Sequence, residues 1–343
     1  MFKKDETAVI KPEPEGLQFI LINGVYVPLV KNYVPNVKPQ SGDELLHVGD
    51  MFKDRYHIKG MIGKGGYGQI YYAEDTREKA ICAIKTERKK KDKAASNSSK
   101  RMFLEQKVLY RLQGRPHTPI MVASGHTENI NFMVMHLLGP NVGDLRKKSP
   151  VRRLSATTVA RGVAALRDVH NLGYLHRDIK PANMCFGITQ NTRHVLKLVD
   201  YGLVRRYKNP DGTWREHRVP ARFRGTLRYV SPDVHDKFDQ CPADDLTSMA
   251  YSGAELLLGD LPWKFCHNRD LREAKLIFES SEILDCCGQA YSSFSKAVFS
   301  LKRTDNPDYS SLQALLIEMQ GDKMLYDPYD WEEGYKEAIE QPL

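Results

Sequence analysis

The chain has 343 residues, with 51 Lys and Arg against 43 Asp and Glu, for a net charge of +8 at neutral pH. Hydrophobic residues make up 41% and charged residues 27%, which excludes a wholly disordered or collagen-like chain. No run approaches the roughly 20 apolar residues that span a bilayer, so the positive balance points to nucleic acid, a membrane surface or an acidic substrate.

The first residues, MFKKDETAVIKPEPEG, carry acids and prolines where a signal peptide needs an apolar stretch. A cytosolic or nuclear location is therefore expected. Cys82, Cys185, Cys241, Cys266, Cys286 and Cys287 form no CxxC pair and suit a reducing compartment as small hydrophobes. Residues 1–50 read as an extension. Apolar β-formers at 17–22 and 25–30 flank Asn23-Gly24, a hairpin signal. The polar, Pro-rich NYVPNVKPQSGDE that follows reads as a linker.

From residue 51 the pattern turns to short strands, predicted at 56–62, 69–73 and 80–86. The basic, Ser-rich RKKKDKAASNSSK reads as a mobile loop. Leu104, Val108 and Leu112 recur every four residues and predict an amphipathic helix over 101–112. Another strand is predicted at 132–138. Beyond Gly139 the signals are mostly helical, clearest at 157–170, 244–258 and 309–320. A strand-rich lobe with one main helix precedes a larger helical lobe.

Four constellations carry chemistry. Gly63-Lys64-Gly65-Gly66-Tyr67-Gly68-Gln69-Ile70 fits G-x-G-x-x-G-x-V with Ile for Val. Glycines let backbone approach phosphate oxygens. A Rossmann unit needs a helix next, but QIYYAED reads as a strand, so a strand-turn-strand flap fits better. Seventeen residues on, Lys85 closes Cys82-Ala83-Ile84-Lys85 and is suited to α- and β-phosphate oxygens, with Glu105 on the following helix as its carboxylate partner. The decisive stretch is His176-Arg177-Asp178-Ile179-Lys180-Pro181-Ala182-Asn183, joined by Asp200-Tyr201-Gly202. In this order, after a glycine loop and an Ala-x-Lys, it has negligible odds of chance assembly.

On these motifs the chain resembles the eukaryotic protein kinases from about residue 51 onward. More narrowly it resembles the casein kinase I superfamily and its tau-tubulin kinase branch. Phe52-Lys53-Asp54-Arg55-Tyr56, Phe223-Arg224-Gly225-Thr226-Leu227-Arg228-Tyr229, Asp244-Asp245-Leu246, Leu261-Pro262-Trp263 and Asp327-Pro328-Tyr329-Asp330-Trp331-Glu332 carry that narrower likeness. The resemblance implies an α+β bilobal fold. Residues 51–138 would form a small antiparallel sheet lobe and hinge, and 139–343 a larger helical lobe.

By the same resemblance Gly63, Gly65 and Gly68 cover ATP phosphates, and Lys85 binds them while paired with Glu105. Asp178 accepts the substrate hydroxyl proton, Lys180 stabilises the transferred phosphoryl group, and Asn183 and Asp200 hold Mg2+. Asp245 would hold the catalytic-loop backbone. Met135 falls at the gatekeeper, His136, Leu137 and Leu138 at the hinge, and Ile62, Ile70 and Ala83 above the adenine. Cys185 lies on the pocket floor, where many kinases place Leu. Tyr201 replaces the commoner Phe and adds a hydroxyl that needs a partner. Ser231-Pro232-Asp233 stands where most kinases carry Ala-Pro-Glu.

Arg218, Arg222, Arg224 and Arg228 crowd the segment bordering the peptide site. They read either as an anion site for acidic or phosphate-primed protein substrates, with Arg228 and Lys264 the closest matches, or as a solvated surface or partners for phosphate on Thr226 or Ser231. The expected function is a monomeric protein Ser/Thr kinase using ATP and Mg2+, with neither nucleic acid nor membrane as partner. A catalytically dead scaffold would lack at least one of Lys85, Asp178, Asn183 or Asp200, and all four are present. A nucleic-acid binder would need basic residues interleaved with aromatics, which 88–93 lacks.

Overall fold

The computed structural model describes residues 19–22, 25–28, 35–65, 68–89, 97–148, 153–154, 157–188, 192 and 195–317. In the extension, β1 (Phe19–Ile22) and β2 (Val25–Pro28) pair antiparallel, with Ile22 opposite Val25. The Asn23-Gly24 turn itself lies outside the described residues. The main sheet is built from β3 (Met51–Phe52), β4 (Tyr56–Gly65), β5 (Gly68–Asp75) and β6 (Ala80–Arg88), completed after helix α1 (Asn97–Leu112) by β7 (Met121–His126) and β8 (Ile130–His136). Its six strands are antiparallel in the order β3-β4-β5-β6-β8-β7.

This sheet is buried on both faces. Side chains alternate along a strand, so neighbouring residues serve different cores. Ile70, Ala83, Lys85 and Met135 face a cleft. Tyr71, Ile84 and Val134, aligned across β5, β6 and β8, join Tyr56, Ile58 and Phe132 in a separate cluster on the other face. Leu46 closes that cluster, and the Phe52 ring meets Phe132 edge-on at 5.0 Å. Residues 35–44, the described part of the expected linker, and residues 45–50 after them pack onto this lobe through Pro35, Glu44 and Leu46, because a two-faced sheet needs a second cover.

Helix α1 begins at Asn97, four residues before the predicted start and inside the expected loop. Residues 90–96 of that loop lie outside the described residues. Met102, Val108, Leu109 and Leu112 are buried along the helix, and Glu105 is buried with them. Strand β8 stops at His136 rather than 138, since Leu137 and Leu138 form the crossover to the second lobe.

That lobe contains α2 (Val142–Lys148), α3 (Thr157–Asn171), β9 (Tyr174–Leu175), β10 (Met184–Phe186), β11 (Leu196–Leu198) and β12 (Arg205–Arg206). Helices α4 (Pro232–His235), α5 (Pro242–Leu258), α6 (Leu271–Glu279), α7 (Gln289–Phe299) and α8 (Tyr309–Ile317) follow. Strands β9 to β12 form two small antiparallel ribbons, β10 with β11 and β9 with β12. Helix α5 is buried along most of its length; its first turn is closed by the Asp244 carboxylate, which accepts from the Cys241 N–H at 2.7 Å. One contiguous core joins α3, α5 and α7 to the last turn of α1. The architecture is the expected α+β pair of lobes. Among the described residues no helix is long and apolar enough to cross a membrane.

Ile84 is fully buried on the central strand of the outer-face cluster. Ile84→Ala should cost about 2–5 kcal/mol in stability, measurable as a lower urea midpoint with an unchanged slope.

Candidate active site

Between the lobes lies a cleft of about 1080 Å³. Its sheet side carries Ile62, Gly63, Gly65, Gly68, Ile70, Ala83 and Lys85, its back Met135, and its far wall Asn183, Cys185 and Asp200. His136 and Leu138 sit at the crossover, also lining it. Every adenine, phosphate and metal residue expected from the sequence therefore faces this one space. Burial pushes the Cys185 thiol up to about 12, so it remains protonated and unreactive at neutral pH. Gly68 has φ +131°, and a Cβ there would lie 2.1 Å from the Thr86 carbonyl oxygen. Only glycine allows the flap to turn so close to β6.

The Lys85 ammonium donates to both Glu105 oxygens at 2.8 and 2.9 Å and to Asp200 Oδ1 at 3.0 Å. Burial alone would lower the Lys85 pKa, but the Glu105 and Asp200 carboxylates outweigh it and raise it. Burial likewise works to raise Asp200, and Lys85 overcomes it to hold that carboxyl low. Lys85 and Asp200 thus fix each other's ionised forms, whereas burial raises the Glu105 carboxyl against the opposing pull of Lys85.

The catalytic loop follows β9. Asp178 Oδ2 accepts from Lys180 Nζ at 2.7 Å and from Asn183 Nδ2 at 3.2 Å, while Oδ1 accepts from Thr226 Oγ1 at 2.7 Å. Lys180 also donates to Thr226 at 3.0 Å. Beneath the loop, buried Asp245 accepts from the His176 and Arg177 N–H groups at 2.7 and 2.8 Å and bonds His170 Nε2 at 2.9 Å. Burial would raise the Asp245 pKa, but His170 and these donors hold it below its ordinary value. Burial lowers His176, giving a neutral ring whose Nε2 donates to the Val199 carbonyl while Nδ1 accepts from the Asp178 N–H. Tyr201 is buried against His176 at 5.1 Å, and its hydroxyl finds the Thr118 side chain.

Asn183 commits its NH2 group to Asp178 and so can offer a cation its carbonyl oxygen, beside the Asp200 carboxylate. Among the described residues no group of three or more His, Cys, Asp or Glu could cage a metal. That donor set fits magnesium, which keeps waters and takes substrate phosphate oxygens alongside one or two carboxylates.

The arginines have separate fates. Arg228 pairs with Glu255 at 3.0 Å and Asp260 at 2.9 Å, and Lys264 with Asp260 at 2.6 Å. An incoming phosphate there would compete with carboxylates of the chain itself. Arg218 and Arg205 share buried Asp239, both at 2.8 Å. Burial, then the nearby Arg205 and Arg218 charges, lowers Arg177 to about 10, with Arg224 adding to the effect. Arg222 is exposed.

Three contacts here were not legible in the sequence. Arg303 pairs at 2.8 Å with Asp233, so an acid–arginine tie stands at the Ser-Pro-Asp element. Trp263 Nε1 donates to the Arg228 carbonyl, and the fully buried Lys275 donates to the Leu227 and Val230 carbonyls. Together they hold the backbone that follows Thr226. Lys275 lies over Tyr251 and Trp263 and also bonds His235 Nε2 at 3.0 Å.

A glycine flap, a lysine–glutamate pair and an aspartate held by asparagine and lysine, set between a sheet and a helical lobe, define a phosphotransferase of the bilobal type. The protein kinase domain model matches residues 56–319, and the chain belongs to the protein kinase family. A Caenorhabditis elegans protein carrying a casein kinase I name is 42% identical over 307 residues, 86% of this chain and 89% of that one. The serine/threonine-protein kinase spe-6 of the same organism is 30% identical over 86% of this chain and 79% of its own length. A Dictyostelium discoideum protein with a serine/threonine kinase name is 34% identical, over 83% of this chain and 58% of its own.

Burial first, then the Lys275 charge, lowers His235 from 6.5 to about 4, against the opposing pull of Asp236. The unfolded chain therefore binds this proton more readily between those values. The contribution of neutral His235 is complete above about pH 6.5 and is lost on acidification toward pH 4. His235→Gln should lose less thermal stability than the wild type between pH 7 and pH 5 in scanning fluorimetry. Parallel pH slopes would exclude His235 as a source of the acid sensitivity.

Proposed function

We propose that the protein is a Ser/Thr kinase that transfers the γ-phosphate of ATP to acidic or phosphate-primed protein substrates, in the manner of the tau-tubulin branch of the casein kinase I superfamily. The carrying observation is the position of Asp178, with Lys180, Asn183 and Thr226 all bonded to its carboxylate. The serine/threonine kinase names of the relatives support the choice of hydroxyl. The presence of Lys85, Asp178, Asn183 and Asp200, with Lys85 already joined to Glu105 and Asp200, favours a working enzyme over a scaffold.

Asp178 orients the substrate hydroxyl and takes its proton as the new O–P bond forms and the bond from the γ-phosphorus to the β–γ bridging oxygen breaks, with ADP leaving. Lys180 is placed to neutralise charge on the group in transit. Lys85 and the flap glycines would hold the phosphates, and Asn183 and Asp200 the cation. When bound, ATP supplies the phosphoryl group and magnesium neutralises charge on its oxygens. What remains for the protein is positioning and electrostatics. For the acidic preference, the Arg177, Arg205, Arg218 and Arg224 group is the better-supplied anion site. One carboxylate, Asp239, serves Arg205 and Arg218, whereas Arg146, Arg228 and Lys264 share two, Glu255 and Asp260.

Purified wild type should transfer γ-phosphate to a casein-like acidic protein, recovered as phosphoserine or phosphothreonine. Asp178→Asn and Lys85→Met should abolish transfer, and equal labelling by all three proteins would refute the assignment.

Arg224→Ala should lower the ratio of primed to unprimed peptide phosphorylation several-fold. A fall confined to Arg228→Ala would return the anion site to Arg228 and Lys264, and no fall in either would remove the primed preference.

A further inference from the structure

Residues 35–48 precede the kinase match, yet they touch both strands of the glycine flap. The Lys38 N–H donates to the Met61 carbonyl at 2.7 Å in an isolated antiparallel bridge to β4. Val37 lies so close to β4 that a Cβ on Gly60 would come within 2.4 Å of its Cγ1. Only a residue without a side chain lets the segment approach this strand. Further along, Asp43 pairs with Lys64, inside the flap motif, at 2.7 Å. The leading strand is therefore held at two places.

The returning strand is held as well. Leu45 N–H donates to both Gln69 Oε1 and Tyr71 Oη at 2.8 Å, and Leu46 N–H donates to Tyr71 Oη at 3.1 Å. Gln69 Nε2 answers with a bond to the Asp43 carbonyl at 3.1 Å. Gln69 and Tyr71 are both buried, so these are not solvent-exchanged contacts. Gln69 follows Gly68 directly, and its neighbour Ile70 lines the cleft. At its near end the segment reaches the cleft itself, where Pro35, Asn36 and Lys38 stand beside Ile62 and Gly63.

A flap over phosphates works only if its two strands stay in register with the floor of the site. We propose that residues 35–48 are a positioning strap that clamps β4 to β5, holds the flap over the cleft, and thereby sets nucleotide affinity. The strap uses buried hydrogen bonds on Gln69 and Tyr71 and a charge pair on Lys64, and none of its residues takes part in phosphoryl transfer. This inference rests on the reading of the cleft as an ATP site.

Tyr71→Phe removes the acceptor of the Leu46 N–H and one of the two acceptors of the Leu45 N–H, and leaves the ring in its core. The full chain with this change should bind Mg-ATP about three- to tenfold more weakly by calorimetry, the range expected for one hydrogen bond. KM for ATP should rise in step, while kcat and KM for the protein substrate stay within about twofold. Amide exchange should quicken at Leu45, Leu46 and Met61. As a second variant pair, Asp43→Lys and Lys64→Asp should each weaken nucleotide binding by up to about fivefold, the worth of an exposed ion pair, and the two together should recover it. Unchanged nucleotide affinity in Tyr71→Phe, with the strap amides exchanging freely, would overturn the proposal. So would a double charge swap no better than its single parents. A wild-type protein that binds no nucleotide would instead overturn the ATP reading, and the strap proposal with it.

Discussion

The ammonium of Lys85 is the constraint on which the two lobes depend. Withdrawing such a charge from water costs several kcal/mol unless opposite charges surround it. Here they come from two different places: Glu105 on α1 and Asp200 on the loop after β11. Sheet, helix and second lobe are therefore tied at a single buried point. If α1 rotated away, Lys85 would lose one carboxylate and Asp200 would have to carry the whole charge. The same three residues that order the cleft are the ones its chemistry requires, so assembly of the lobes and assembly of the site are one event.

The second lobe solves a related problem for its loops. Arg177 and Asp200 both adopt left-handed backbone, with φ of 68° and 64°. Each such residue costs of order 1–3 kcal/mol and persists only where its surroundings leave no alternative. For Arg177 the surroundings are the Asp245 carboxylate, which takes two consecutive N–H groups, and the Leu203 carbonyl, which takes Nε at 2.7 Å. For Asp200 they are Lys85 and the buried Tyr201 that follows it. Helix α5 supplies the rigid base. Its buried first turn carries Asp245, and Asp244 in the same turn accepts from Ser231 at the start of α4. One helix turn thus positions both the His176–Arg177 backbone and Ser231.

Much of this was legible in the sequence because the informative residues are close together in it. The flap, the strand lysine, the catalytic loop and Asp200-Tyr201-Gly202 each occupy a few consecutive positions, where turn chemistry and spacing speak directly. The strand at β5 and the four-residue period of α1 were readable for the same reason. What stayed hidden depends on pairs far apart along the chain. Asp233 and Arg303 are 70 residues apart, and Lys275 meets the carbonyls of Leu227 and Val230 nearly 50 residues away. Backbone acceptors leave no trace in sequence, so nothing there singled out Lys275. Residues 35–44, the described part of the expected linker, were misjudged for a different reason. Their Pro-rich, polar composition is that of a linker, yet it is their backbone N–H and C=O groups that bind the sheet, and composition says nothing about those.

The same distinction governs the net charge of +8. As a sum it could not separate an acidic substrate from nucleic acid, and within the cluster Arg218, Arg222, Arg224 and Arg228 the sequence names no pairing partners. Geometry divides them. Arg228 and Lys264 lie where α5 and the following turn present Glu255 and Asp260, so their charge is largely spent within the fold. Arg177, buried beside Arg205, Arg218 and Arg224, carries a pKa lowered by burial and by its own kind. A guanidinium under that repulsion gains more from a phosphate than one already paired, because the anion relieves an unfavourable interaction instead of displacing a favourable one. The position of each charge relative to its partners, which a net sum cannot carry, is what separates the two clusters.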